Sequence, residues 1–247
     1  MWRDVCLVLL LALVGPAAAQ SAAVGLYAEG NQLYRAGDFA GARQRYEAAV
    51  ATGIQDPRLL YNLGNASYKT GDLGHAIVWY ERALRRAPRD EDIQANLRFL
   101  RRLKADREPE PSGGVTGFLV DAYLWPTLNE VAVLWWLSLL ALFVVAARRR
   151  WQSASGIGLG LPLAIIMCAM VAVFALTRFE RDAKQVEAIL TQPQGTARSG
   201  PAPDQTEVFV IHEGTKVVIE RSEAAWYLVR LHSGLGGWLP ASVLTEI

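Results

Sequence analysis

Apolar positions in the first half of the chain recur at helical spacing, in segments separated by glycine and aspartate. Leu60, Leu63 and Gly64 share one face of a predicted helix, and Ala76 and Tyr80 lie on the inner face of the next. A Gly-Asp pair between the two helices can end the first helix and cap the second. The pattern therefore predicts two antiparallel helices that approach closely at Gly64.

This helix pair is preceded by a similar unit at an offset of 34 residues. The recurring pairs are Gly30 and Gly64, Asn31 and Asn65, Gly37 and Gly71, Asp38 and Asp72, Ala42 and Ala76, Tyr46 and Tyr80, and Ala49 and Ala83. A helix-pair unit of this length with small residues at the helix contact resembles the tetratricopeptide repeat (TPR), whose members bind peptides and proteins. The resemblance implies an all-α array over residues 20–107.

The two units differ, and a third amphipathic stretch follows them. The first unit, residues 23–56, carries Glu29 where the second has Leu63, and Ile54 where the second has Pro88. Residues 92–104 place one more set of apolar side chains on a single face, comprising Ile93, Leu97, Leu100 and Leu103. We predict that this stretch is a capping helix that ends the array in solvent.

The TPR resemblance also implies a binding groove, because the first helix of each repeat lines the concave face of a TPR domain. The residues placed there are Tyr27, Asn31, Tyr34 and Arg35 in the first unit, and Tyr61, Asn62, Asn65, Tyr68 and Lys69 in the second. TPR domains that bind a C-terminal carboxylate use two asparagines together with lysine and arginine.

Asn31 and Asn62 fit two of those carboxylate-binding positions, whereas Tyr27, Asp92 and Asn96 stand where cations are expected. A carboxylate beside Asp92 would be repelled. The resemblance therefore predicts an internal peptide segment or a folded protein as the ligand. The alternative is that the asparagines only match the packing pattern that TPR units share.

Two long uncharged runs predict a transmembrane hairpin. Residues 131–147 and 157–176 are long enough to cross the hydrocarbon core, and neither run has the polar stripe of a soluble helix. The loop between them, residues 148–156, carries Arg148, Arg149 and Arg150. Because short cytoplasmic loops are enriched in Lys and Arg, we predict that this loop is cytoplasmic and that the flanking segments face the outside.

The N-terminus independently predicts export of the repeats. Residues 1–19 combine a positive start, an apolar run over Val5–Val14 and an Ala-Ala-Ala cleavage site, as in a signal peptide; the alternative is an uncleaved anchor. Between the repeats and the hairpin, residues 108–130 begin with a Pro/Gly-rich linker that is expected to be mobile. Val115–Trp125 then predicts either a short interfacial helix or an irregular connection.

The C-terminal segment, residues 185–247, has the period of β-strands. β-Branched runs at Glu207–His212 and Thr215–Arg221 flank a Glu-Gly turn, and alternating positions follow from Trp226 and Trp238. With the run Gly-Trp-Leu-Pro up to Pro240, the segment resembles a bacterial SH3-like barrel. That resemblance makes Trp226, Trp238 and Pro240 candidate ligand contacts; the alternative is that both tryptophans are barrel core.

Composition and motifs argue against several functions. The net charge is +1, which gives no indication of nucleic-acid binding, and the two cysteines, Cys6 and Cys168, both lie in apolar runs. The three histidines are isolated, and the glycines at 156, 158 and 160 lead into an apolar span rather than a dinucleotide-binding helix. We expect no enzymatic activity, no cofactor and no metal.

Together these features predict a multidomain membrane protein with a TPR array, a two-helix transmembrane hairpin and a small all-β SH3-like barrel. This order resembles the TPR member of the bacterial aerotolerance (Bat) operon, the BatE family. The resemblance implies a complex with von Willebrand factor A-type membrane proteins and a MoxR-type ATPase, linked to oxidative stress. It implies an adaptor in the inner membrane whose domains face the periplasm; the alternatives are a cell-wall sensing module and an assembly factor of a membrane complex.

Overall fold

The structure is a computed structural model that describes residues 20–106, 114–151 and 159–247. The predicted signal peptide lies outside the described residues, as do most of the predicted linker and most of the predicted cytoplasmic loop. The chain divides into two compact units. The first combines the N-terminal helices with residues 187–247, and the second comprises residues 110–186.

Helices form the N-terminal part of the first unit. They are α1 over residues 20–35, α2 (Phe39–Ala51), α3 (Pro57–Lys69), α4 (Leu73–Arg86) and α5 (Glu91–Leu103). The predicted helix boundaries are confirmed: Gly37 and Gly71 end α1 and α3 with φ of 83° and 84°, a region that favours glycine. The Asp72 carboxylate then caps α4 by accepting a hydrogen bond from the backbone N–H of His75 (3.0 Å).

The close approach predicted at Gly64 is a contact with an aromatic ring. A Cβ atom on Gly64 would lie 2.9 Å from Cδ1 of Tyr80, and one on Gly30 would lie 2.4 Å from Cε1 of Tyr46. Both tyrosines are buried, at 2% and 1% exposed. In each repeat, the ring of a tyrosine on the second helix therefore fills the space beside the glycine on the first helix.

Residues 186–247 form an antiparallel sheet, here called the β domain. Its strands are β1 (Val186–Leu190), β2 (Gln194–Arg198), β3 (Glu207–His212), β4 (Lys216–Glu223), β5 (Trp226–Arg230), β6 (Gly236–Pro240) and β7 (Leu244–Glu246). Their order in the sheet is β3-β2-β6-β5-β4-β1-β7. The strand pattern predicted β3 to β6, whereas β1, β2 and β7 are too short or too polar to show the alternation.

The β domain packs directly on α4 within the first unit. Ile189 joins the buried core of α4 and α5, and a Cβ on Gly214 would lie 2.7 Å from Cδ1 of Ile77. The Glu213 carboxylate accepts a hydrogen bond from the backbone N–H of Gly74 (2.7 Å), and Arg85 forms an ion pair with Glu187 (2.9 Å). The β domain thus covers part of α4, whereas α5, the predicted capping helix, packs on α4 and leaves most of its other positions exposed.

Two charged contacts add to this packing. Glu81 is 5% exposed and pairs with Arg101 (2.5 Å) and Lys216 (3.4 Å). Burial alone would raise the pKa of Glu81, but these two cations hold it below its usual value. Asp106, just beyond α5, accepts hydrogen bonds from the backbone N–H of His212 (2.7 Å) and the hydroxyl of Thr215 (2.7 Å), which outweigh burial and lower its pKa.

The third amphipathic stretch is helix α5, but its predicted apolar face is only partly buried. Ile93, Leu97 and Leu100 are buried, whereas Leu103 is 51% exposed. Leu103 occupies the last position of α5, and the buried face continues instead through the next residue, Lys104, which is 5% exposed.

The second unit consists of apolar helices. Its elements are α6 (Val115–Leu124), α7 (Leu128–Trp151) and α8 (Gly160–Lys184). By length and composition, α7 and α8 could each cross a membrane, and most of each helix is exposed. Helix α7 extends beyond its apolar run at both ends, so that Arg148–Trp151 forms its last turn, and α8 extends beyond its run at the C-terminal end.

Helix α6 settles the open choice at Val115–Trp125 in favour of a helix. Tyr123 packs edge-on against Phe174 of α8, with ring centroids 5.2 Å apart, and its hydroxyl lies 3.3 Å from that of Thr177. Phe118 and Leu119 are 70% and 59% exposed. The interfacial position of α6 stays a prediction.

Candidate functional site

Three of the predicted groove residues and one buried tyrosine of α2 form a hydrogen-bonded polar cluster between the two repeats. The Asn62 Nδ2 of α3 donates to Oδ1 of Asn31 (3.0 Å) and to the hydroxyl of Tyr27 (3.1 Å), both on α1. The hydroxyl of Tyr46 on α2 donates to the same Asn31 oxygen (2.8 Å). We call this set the first Asn-Tyr quartet.

The same arrangement recurs one repeat later. Asn96 Nδ2 on α5 donates to the hydroxyl of Tyr61 (3.0 Å) and to Oδ1 of Asn65 (3.3 Å). The hydroxyl of Tyr80 donates to the same Asn65 oxygen (2.5 Å). Every member of this second quartet lies 34 residues after its counterpart, so α5 takes the place of the first helix of a third repeat.

Burial perturbs the pKa values of Tyr46 and Tyr80, the quartet tyrosines on the second helix of each repeat. Burial, together with the neighbouring Tyr27 and Tyr34, raises the pKa of Tyr46 to about 12. Burial and the neighbouring Tyr61 also raise the pKa of Tyr80. Both hydroxyls therefore remain protonated at physiological pH and act as fixed hydrogen-bond donors to the asparagines.

The quartets leave part of each asparagine available to a ligand. Oδ1 of Asn31 and Oδ1 of Asn65 accept the internal bonds, while their Nδ2 groups have no hydrogen-bond partner among the described residues. Asn62 shows the reverse: its Nδ2 donates two hydrogen bonds, and its Oδ1 has no hydrogen-bond partner in the described part of the chain. All three side chains are partly exposed. The surface thus offers two amide donors and one acceptor at fixed positions.

A family model described as tetratricopeptide repeat matches residues 27–91. Residues 27–91 are tetratricopeptide repeats. The matched range includes both quartets except Asn96, and the chain has no significant match among curated proteins.

Aromatic and cationic side chains lie near the TPR quartets. Tyr34 packs edge-on against Phe39 (5.0 Å between ring centroids), and Tyr68 packs in the same way against Phe99 (5.8 Å). Lys69 Nζ lies 5.8 Å from the centre of the Phe39 ring, and Arg35 is exposed on the last turn of α1. These rings and cations supply apolar contact and positive charge beside the free amide groups.

Sequence reasoning placed the TPR asparagines correctly on the first helices but missed their shared partners. Asn96 was interpreted as standing in for a cation, whereas it completes the second quartet. The signal was present, since Tyr27, Asn31, Tyr46 and Asn62 each recur 34 residues later with the same residue type. Spacing alone did not show that these side chains meet.

The candidate ligand residues of the β domain lie together on neighbouring strands. Trp226 of β5 is the direct cross-strand partner of Pro240 of β6, and Trp238 lies two residues earlier on β6. Side chains alternate along a strand, so all three share the face opposite Val229 and Leu239, which belong to the core of the β domain. Trp238 is nevertheless 8% exposed, while Trp226 and Pro240 are partly exposed.

Proposed function

We propose that this protein is a membrane-anchored adaptor whose TPR surface binds a segment of a partner protein. TPR repeats indicate protein–protein interaction, and the observation that carries the finer proposal is the pair of free Nδ2 groups on Asn31 and Asn65. Amide donors suit backbone carbonyls, and the free Oδ1 of Asn62 suits a backbone N–H. These are the groups that an unfolded or extended segment presents.

The charge around the site favours an internal segment over a free C-terminus. Arg35 and Lys69 supply positive charge near the tyrosines, but Asp92 at the start of α5 adds a negative one. The paired lysine and arginine that would hold a carboxylate are absent from the corresponding positions, where Tyr27 and Asn96 are committed to the quartets. The ligand we propose therefore combines backbone contacts with an aromatic or aliphatic side chain.

The cellular setting of the proposal rests on the apolar helices and on the order of the domains. Two helices long and apolar enough to span a membrane, with three arginines at the end of α7, support an inner-membrane hairpin with both outer domains in the periplasm. In that setting we propose an envelope complex of the Bat type, linked to oxidative stress. Its von Willebrand factor A-type proteins and MoxR-type ATPase are the proposed partners, and no catalytic role is proposed for this chain.

A photo-crosslinking experiment tests the adaptor proposal. Benzoylphenylalanine is introduced in place of Arg35, beside the quartets, and as a matched control in place of Gln44 on the outer face of α2; both positions are exposed. After irradiation of whole cells, we expect a discrete crosslinked product only from the Arg35 position. Equal crosslinking from both positions, or none from the Arg35 position, would contradict the proposed surface.

A second candidate function rests on the β domain. Its resemblance to bacterial SH3-like domains, together with the adjacent Trp226 and Pro240, favours binding of cell-wall peptide. Trp226→Ala should then abolish retention of the protein on purified peptidoglycan, with Tyr227→Phe as the neighbouring control. Retention that is unchanged by Trp226→Ala would exclude this face as the binding site.

A further inference from the structure

The β domain has an open strand edge at β3. This strand is the last in the sheet order and pairs with β2 alone among the described strands. The backbone N–H of Glu213 donates to Pro193 on the β2 side, whereas that of His212 donates outward to Asp106. Because backbone groups alternate along an antiparallel strand, the N–H and C=O of Val210 also point away from β2. Neither group has a partner in the described residues.

A slot lies beside this edge. Its volume is about 160 Å³. One wall is β3 itself, with Phe209, Val210 and Ile211, and the other wall is formed by Lys216 at the start of β4 and by the turn over residues 231–235. Val210 and Leu235 are 46% and 53% exposed, so the slot opens to solvent between two apolar side chains.

We propose that this slot binds an extended peptide segment of a partner protein, which adds as a short strand to the edge of β3. The unpaired N–H and C=O of Val210 require an extended backbone as their complement. An aliphatic side chain of the peptide fills the slot against Leu235. This site is separate from the TPR surface and does not depend on the function proposed for it.

Two observations set the size of the occupant. The slot has walls on both sides, so it admits a single chain but not the edge of a second folded copy of the β domain. The bulge between Ala197 and Arg198 breaks the regular register of β3 at one end, and Asp106 already holds the N–H of His212 at the other. Pairing is therefore confined to a few residues around Val210.

A peptide-binding measurement on the full-length protein in detergent micelles tests the proposal. The probe is a fluorescein-labelled peptide, Lys-Thr-Val-Thr-Val-Thr-Lys, followed by fluorescence anisotropy. Val210→Pro removes only the outward N–H, which a proline at a sheet edge permits, and Val210→Thr is the matched control that keeps it. We expect saturable binding that weakens about tenfold in Val210→Pro and is unchanged in Val210→Thr.

A modified probe tests the same hydrogen bonds without altering the protein. N-methylation of the central threonine and both neighbouring valines removes the central backbone donors of the peptide, so this peptide should not bind. Absence of binding by the unmodified peptide, equal affinity for both peptides, or equal affinity of the Pro and Thr variants would each overturn the proposal. Substitution of Asn31 and Asn65 should leave this binding unchanged, which separates the site from the TPR surface.

Discussion

The closest test of the repeat packing is a pair of glycine-to-alanine substitutions with opposite expected signs. In Gly64→Ala the new Cβ would lie 2.9 Å from the ring of Tyr80, so the ring must move. Moving the ring strains the core at a cost of about 1–3 kcal/mol. It also pulls the Tyr80 hydroxyl from Asn65, and leaving that buried donor unpaired costs about 1–3 kcal/mol more.

The substitution also has a favourable effect, because alanine is a better helix former than glycine by about 1 kcal/mol. The net expected loss is therefore roughly 1–5 kcal/mol for Gly64→Ala. Gly25 lies inside α1 with no atom within 4 Å of an added Cβ, so Gly25→Ala should stabilise the helix by about 0.5–1 kcal/mol.

Hydrogen exchange of the full-length protein in detergent measures both effects. We expect the amides of α3 and α4 to exchange at least several-fold faster in Gly64→Ala, and those of α1 to exchange more slowly in Gly25→Ala. Exchange in α3 and α4 that is no faster in Gly64→Ala than in the unmodified protein would refute the close packing of Tyr80 on the glycine.

Further predictions concern the β domain and the membrane topology. Asp106→Asn should weaken the packing of the β domain on the helices by about 1–3 kcal/mol, seen as faster exchange in β3 and β4. Because the pKa values of Asp106 and Glu81 are lowered in the folded protein, their stabilisation is present above the ordinary values of 3.8 and 4.5. It should be lost as the pH falls through the lower folded values, so the melting temperature should drop in that range; a melting temperature constant from pH 6 to pH 3 would contradict this. Periplasmic reporters fused after Ile247 should be active, and replacing Arg148–Arg150 with glutamine should give mixed orientations; a cytoplasmic reporter signal in the unmodified protein would exclude the hairpin topology.

The helical repeats could be predicted from sequence because their information is local. The Gly-Asp helix boundaries and the apolar faces depend on residues within one or two turns, and the 34-residue period repeats these local signals. The open choices were settled by contacts that no local pattern encodes. Leu103, for example, has the spacing of a core residue but is 51% exposed, whereas the next residue, Lys104, is buried.

The packing of the β domain on α4 could not be predicted, because no local sequence pattern encodes its contacts. Its contacts join Glu81 to Lys216 and Gly74 to Glu213, residues more than one hundred positions apart with the apolar helices between them. Neither residue type at these positions is unusual for a solvent-exposed face, so the sequence predicted separate domains. A buried glutamate paired with a distant lysine leaves no periodic signal.

The quartets could be predicted in part: their residues were visible in the sequence, but their hydrogen bonds were not. Their asparagines and tyrosines are visible as a repeated pattern, yet the pattern does not say which groups bond to one another and which remain free. The distances show that the Oδ1 atoms of Asn31 and Asn65 accept hydrogen bonds within the quartets, whereas their Nδ2 groups have no partner among the described residues. This division supports the proposed role of the asparagines in ligand binding.

The double substitution Asn31→Asp with Asn65→Asp tests the central claim most directly. The new carboxylates keep an acceptor for the hydroxyls of Tyr46 and Tyr80, so the repeats should stay folded, as hydrogen exchange of α3 and α4 can verify. They replace both free amide donors with groups that repel backbone carbonyls. Crosslinking from the Arg35 position should fall about tenfold or more in folded protein, as expected when hydrogen-bond donors at a binding site are lost. Unchanged crosslinking in the folded double variant would contradict the claim that the TPR surface binds its partner through these asparagines.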